Sequence, residues 1–135
     1  MKKEQCKDLK YFTYEEMTAT GADIDDVKAV LMLSLDHFRK NIGTPVKLLK
    51  NGLTTGKHAK NSQHYLGGAA DVYFRMWPKT LNTVVELAAD AGFSGICLNG
   101  TNGKYVTIHL DLRALCWYAR RDKDTGKYVD LINAV

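Results

Sequence analysis

Long hydrophobic runs are absent from this 135-residue chain, and none of its apolar stretches approaches the roughly 20 residues that a bilayer-spanning helix needs. The N-terminus, Met1-Lys2-Lys3-Glu4-Gln5-Cys6-Lys7-Asp8, carries positive charge with no apolar segment behind it, so no secretory leader is expected and the chain reads as cytoplasmic when made. Cysteine is scarce. Cys6, Cys97 and Cys116 are odd in number, far apart, and form no CxxC pair, which argues against both a disulfide framework and a thiolate zinc site. Two buried thiols and one near the terminus are the expectation. No repeat, low-complexity segment or linker interrupts the chain, and its length suits one domain, residues 1–135, with a core of its own. The charge excess is modest, +4, enough to favour encounter with polyanions such as nucleic acid, anionic membranes or bacterial wall polymers but not to choose among them. Aromatic and basic residues do not alternate along any one strand, which speaks against a single-stranded nucleic-acid platform.

Periodicity supplies the elements. Thr13-Tyr14-Glu15-Glu16 is a capping-box pattern, flanked by Phe12 and Met17 as a hydrophobic staple. Ile24, Val27, Leu31, Leu35, Phe38 and Ile42 recur at helical spacing, predicting a long amphipathic helix from Asp23 to about Asn41, with acids at its start, Arg39 and Lys40 at its end, and Gly43 and Pro45 to stop it. Val46 to Leu49 reads as a short strand before the Asn51-Gly52 turn, and residues 54–61 as an exposed loop. A strand from Ala69 to Phe74 and a helix opening near Pro78 and closing at Gly92 follow. Strands at Phe93–Leu98 and Tyr105–Leu112 are joined through residues 99–103, and Trp117–Arg121 with Lys127–Leu131 forms a terminal hairpin. The sum is an α+β arrangement, helices packed on a mainly antiparallel sheet.

The chemistry concentrates in Ser62-Gln63-His64-Tyr65-Leu66-Gly67-Gly68-Ala69-Ala70-Asp71 and in Ile108-His109-Leu110-Asp111. Zinc takes nitrogen and oxygen ligands tetrahedrally, and a catalytic site characteristically keeps three protein ligands and an open fourth position. His64, Asp71 and His109 supply that count. Fully extended, the chain would hold His64 and Asp71 roughly 23 Å apart; the Gly67-Gly68 pair allows a tight turn that folds Asp71 back beside His64. Alternation places His109, Asp111 and Arg113 on one face of their strand and Ile108, Leu110 and Leu112 on the other. The competing reading makes each of these an ordinary structural histidine or a turn aspartate. His37, within the first long helix, reads as an ordinary helical residue, and His58 as a residue at the rim of the cleft.

The run Ser62-x-His64-x-x-Gly67-x-Ala69-Ala70-Asp71, together with Ile108-His109-Leu110-Asp111, resembles the zinc peptidases that include D-alanyl-D-alanine carboxypeptidases and phage endolysin L-alanyl-D-glutamate peptidases. Their wider fold group takes in lysostaphin-type peptidases and the hedgehog signalling domain. Tyr11-Phe12-Thr13-x-x-Glu16 is similar to that family's opening helix, and Phe38-Arg39 through Gly43-Thr44-Pro45-Val46 to its passage from helix to strand. The resemblance implies zinc held by His64, Asp71 and His109, and the peptidoglycan stem peptide as substrate, cut at its D-Ala end or at an L-Ala-D-Glu bond. It implies a monomer with no nucleic-acid or membrane partner, such as a phage lysin or a cytoplasmic enzyme trimming wall precursors. Two departures stand out. The family's substrate-holding arginine after the first strand is replaced by Gly52-Leu53-Thr54, and its acidic residue three positions before the last histidine is Val106 here. Asp111 is then the candidate for proton transfer, or else for orienting His109. Arg113, Lys57 or Lys60 are the candidates for pairing with a substrate carboxylate, and Ser62 for a further substrate contact. A non-catalytic zinc-binding module of the same fold, such as a phage structural or wall-binding component, is the alternative.

Overall fold

The computed structural model of the protein describes residues 1–131. After a 3₁₀ segment at Lys3–Asp8, helix α1 spans Tyr14–Thr18, α2 Ala29–Ile42 and α3 Leu81–Asp90. The strands are β1 Val46–Leu48, β2 Ala69–Arg75, β3 Gly95–Asn102, β4 Tyr105–Asp111, β5 Trp117–Arg121 and β6 Tyr128–Asp130. They form one sheet in the order β1-β2-β4-β3-β5-β6, with every neighbouring pair antiparallel except β3 and β5. The α+β expectation therefore holds, with one parallel pair that no strand pattern announces. No helix among the described residues is long and apolar enough to cross a membrane.

The helices take up one face of the sheet. Leu31, Met32, Leu35, Phe38 and Ile42 of α2 and Val84 and Ala88 of α3 are buried in one cluster with Val72, Phe74, Ile96, Val106, Ile108 and Leu110 of the strands. Phe38 meets Phe74 and Phe93 edge-on, at centroid distances of 5.6 and 6.5 Å. Each such side chain removed from water contributes about 1.5–3 kcal/mol, so the alternating apolar set of β2 and β4 pins the register. A one-residue slip would turn Asp71, His109 and Asp111 into the core.

Local chemistry explains the helix ends. Thr13 Oγ1 accepts from Glu16 N at 3.1 Å, the N-cap half of the expected capping box. Helix α2 starts at Ala29 rather than Asp23. Asp23 caps a 3₁₀ turn at Ile24–Asp26, after which Val27 and Lys28 are extended and Lys28 N donates to Gly67 O at 3.0 Å. Ile24 and Val27 are still buried, so the apolar periodicity ran past the helix because the preceding turn buries its residues on the same side. The β3–β4 connection is also tighter than expected. Both strands extend through a register shift between Leu98 and Gly100, leaving Gly103 and Lys104 as the turn.

Candidate metal centre

His64 sits in a tight turn, where Tyr65 N donates to Ser62 O, Leu66 N to Gln63 O and Gly67 N to His64 O at 3.1–3.2 Å. The turn depends on Gly67, whose φ is +73° and whose added Cβ would lie 2.0 Å from Asp26 O. Gly68 is different: a Cβ there would meet nothing closer than Gln63 Oε1 at 3.6 Å. The expected glycine pair thus reduces to one conformationally required glycine. Asp71 is held by its backbone, its N donating to Gly52 O at 2.8 Å and its O accepting from Leu49 N at 3.1 Å. In the β2–β4 register Asp71 lies opposite His109.

These three residues converge. His64 Nε2 lies 3.3 Å and His109 Nδ1 3.1 Å from the same Asp71 Oδ1. The remaining ring nitrogens are occupied elsewhere. His64 Nδ1 donates to Leu53 O at 2.7 Å and His109 Nε2 donates to Asp111 Oδ2 at 2.7 Å. A carbonyl and a carboxylate accept only, so in the neutral rings the protons sit on those outer nitrogens and the lone pairs point at Asp71. Two imidazole lone pairs facing one carboxylate oxygen repel unless a cation lies between them. In the metal-free protein that cation is a proton: although burial disfavours the charged ring, the bonds to Asp111 and Asp71 prevail and the His109 pKa is pushed up to about 8. Asp71 shows the counterpart. Burial pushes its carboxyl up, but the bonds from His109 and His64 prevail and hold it well below the usual carboxylate range.

His58 lies closer to this centre than the expected rim position. Its ring stacks on His64 at a centroid distance of 3.8 Å, and its Nε2 donates to Asn51 O and Thr55 O at 3.0 and 2.8 Å. His58, His64 and Asp71 bring one ligand atom each within 4.8 Å of one another. That mutual approach is shown for His58, His64 and Asp71, whereas His109 joins His64 only through the Asp71 Oδ1 that both rings face.

Asp111 is fully buried, and both its oxygens are engaged. Oδ1 accepts from Arg113 N and Nε at 3.1 and 2.9 Å, while Oδ2 accepts from His109 Nε2 and from Arg113 Nη2 at 2.5 Å. It lies on the far ring nitrogen of His109 from Asp71. With both oxygens occupied by Arg113 and His109, this geometry suits the second of the two expected roles, that of orienting His109. Arg113 is correspondingly committed to Asp111, with its guanidinium 4.1 Å from the Trp117 ring centroid. Ser62 Oγ accepts from His64 N at 3.2 Å and so shapes the turn. Val106 faces the core. The Gly52-Leu53-Thr54 segment holds His64 through the Leu53 carbonyl, a contact with no side-chain signature for sequence reasoning to find.

A cleft of about 770 Å³ opens beside these residues and is lined by His58, His64, Asp71 and His109, by Ser62, and by the cations Lys50, Lys57, Lys60, Arg113 and Arg121. Comparison with known protein families, curated proteins and solved structures finds no match to the chain.

Proposed function

We propose that this chain is a zinc-dependent peptidase of the D-alanyl-D-alanine carboxypeptidase and endolysin type, hydrolysing the stem peptide of bacterial peptidoglycan. The observation that carries the reading is the convergence of His64 Nε2 and His109 Nδ1 on Asp71 Oδ1 with the outer nitrogens tied to Leu53 and Asp111. Two imidazoles fixed by oxygen acceptors and one carboxylate are a donor set suited to zinc. His64, Asp71 and His109 would hold the ion. Bound there, zinc supplies Lewis-acid polarisation of the scissile carbonyl and lowers the pKa of its water toward neutrality. The chain's own residues set up that chemistry. Leu53 O and Asp111 fix the two ring orientations, Arg113 keeps Asp111 ionised, and the cationic cleft draws in a peptide bearing carboxylates. A lysin acting on the wall and an enzyme trimming wall precursors both fit this chemistry.

One observation favours a second reading, a zinc-binding module of the same fold without catalysis. Among the described residues Asp71 is the single carboxylate lining the cleft, and Asp111 is sealed beneath His109. Metal analysis of the purified protein, paired with digestion of purified peptidoglycan and assay of new amino termini and free D-alanine, separates the two. One equivalent of zinc with cleavage is the expected result. Zinc without cleavage across several wall chemotypes overturns the peptidase and leaves the binding module.

A further inference from the structure

The cations of the cleft are not equivalent. Lys50, Lys57, Lys60 and Arg121 are all solvent-exposed and Arg113 is paired with Asp111, but Arg121 alone of the exposed four is braced by an aromatic ring and a carbonyl. Arg121 at the end of β5 lines the same cleft, and among the described residues no carboxylate lies within ion-pair distance of it. Its guanidinium is nevertheless held, lying 5.3 Å from the Tyr128 ring centroid while Nε donates to Gly126 O at 3.3 Å. The wall between it and the metal centre is aromatic. Trp117 meets His109 edge-on at 6.3 Å and Tyr128 at 5.3 Å. Across the sheet His109, Cys97 and Ala119 lie in one row, and Arg121 stands two residues further along β5, about 7 Å beyond that row. Its charge is also the foremost influence opposing the upward pull of burial on the Cys97 thiol beside His109.

A guanidinium pre-set by a ring and a carbonyl, and without a carboxylate partner among the described residues, is suited to bidentate capture of a carboxylate and loses little freedom in doing so. We infer that Arg121, backed by Tyr128 and Trp117, anchors a substrate carboxylate on the β5–β6 side of the metal centre, so that the cleft selects acidic peptides. Naming a peptide rests on the peptidase reading; the carboxylate preference rests on the cleft alone. Sequence reasoning passed over Arg121 because its strand lies two places from β4 and joins β3 in parallel, which brings the terminal hairpin to the site.

The test compares two synthetic ligands, the stem pentapeptide as free acid and its fully amidated analogue, by calorimetry and by turnover. The wild-type protein binds the acid about tenfold to a hundredfold more tightly than the amide. Arg121→Ala and Arg121→Gln bring that ratio close to one, Arg121→Lys keeps part of it, and Lys123→Ala on the exposed turn keeps it whole, with zinc content and Tm unchanged in each. A ratio preserved in Arg121→Ala, or a wild-type protein that binds neither ligand, overturns the anchor. If the wild-type protein prefers the acid through Arg121 yet cleaves neither ligand, the anchor stands and the peptidase reading fails. If it cleaves the acid and Arg121→Ala keeps the full preference, the peptidase stands and the anchor fails.

Discussion

Gly95 lies opposite Asp111 in the β3–β4 register, and the carboxylate of Asp111 occupies the space a side chain at Gly95 would need: an added Cβ would sit 1.9 Å from Asp111 Oδ1 and 2.6 Å from Arg113 Nε. The chain that orients His109 is thus threaded over a bare backbone position. Gly95→Ala is expected to displace Asp111, cost about 1–3 kcal/mol as overpacking, and weaken zinc binding about tenfold to a hundredfold through the lost hold on His109. Thermal unfolding and a chelator-competition titration measure the two effects. A variant with unchanged zinc affinity would remove Asp111 from the metal's support.

The two candidate third ligands, His109 and His58, make opposite forecasts for single truncations. With His109 as the third ligand, His109→Ala lowers zinc affinity by orders of magnitude, whereas His58→Ala, which removes a ring stacked on His64, changes it by about tenfold or less. Competition titration of both variants decides the matter. The reverse order would make His58 the ligand.

The paired glycines of the His64 turn are expected to part company. At Gly67 the φ of +73° and the collision with Asp26 O predict that Gly67→Ala destabilises by more than about 2 kcal/mol and abolishes zinc uptake. Gly68→Ala, with ordinary contacts around the new methyl, stays within about 1 kcal/mol of wild type. Chemical denaturation of both proteins checks the contrast, and equal losses would discard the assignment of the turn to Gly67.

His109 gives the metal-free protein a pH dependence of definite sign. Its folded-state pKa is raised from 6.5 to about 8, so its contribution to stability is fully present below 6.5 and is lost as pH rises through about 8. Between those limits the chelated protein becomes less stable with rising pH as far as His109 is concerned. Zinc uptake, which must displace that proton, tightens over the same window. NMR titration of the His109 ring in chelated protein reads the pKa directly; a midpoint below 6.5 would contradict the account.

Thiol chemistry of the chelated protein provides a further check. Cys97 is buried, and burial pushes its thiol up to about 11, whereas Cys116 is exposed. Since the thiolate is the nucleophile, a disulfide reagent at pH 8 is expected to modify Cys116 rapidly and Cys97 only as the protein unfolds. Peptide mapping after a brief exposure resolves the order.

Much of the fold could be read from pattern because the pattern reports burial: the apolar steps of α2 and the alternation of β2 and β4 directed those residues into one core. The same dependence misplaced the start of α2, since Ile24 and Val27 are buried without being helical. His64, Asp71 and His109 could be singled out from residue type and spacing, and a turn and a register bring them together. What escaped was carried by backbone or by non-local pairing. The Leu53 carbonyl has no side-chain signal, the room for Asp111 is made by a glycine on another strand, and Arg121 reaches the cleft through a parallel pairing. His58 lines the cleft as expected, but a loop histidine shows nothing in sequence of the ring it will stack on.

The His64 turn is tied at both glycines, Gly67 O accepting from Lys28 N at 3.0 Å and Gly68 O from Leu112 N at 3.1 Å. One tie reaches the residue preceding α2 and the other the chain leaving β4. The loop therefore belongs to the same cooperative unit as the core, and its opening requires breaking the helix entry and the sheet end together. The amides of the His64 turn are therefore expected to exchange with solvent on the timescale of the core rather than of the exposed loop before it.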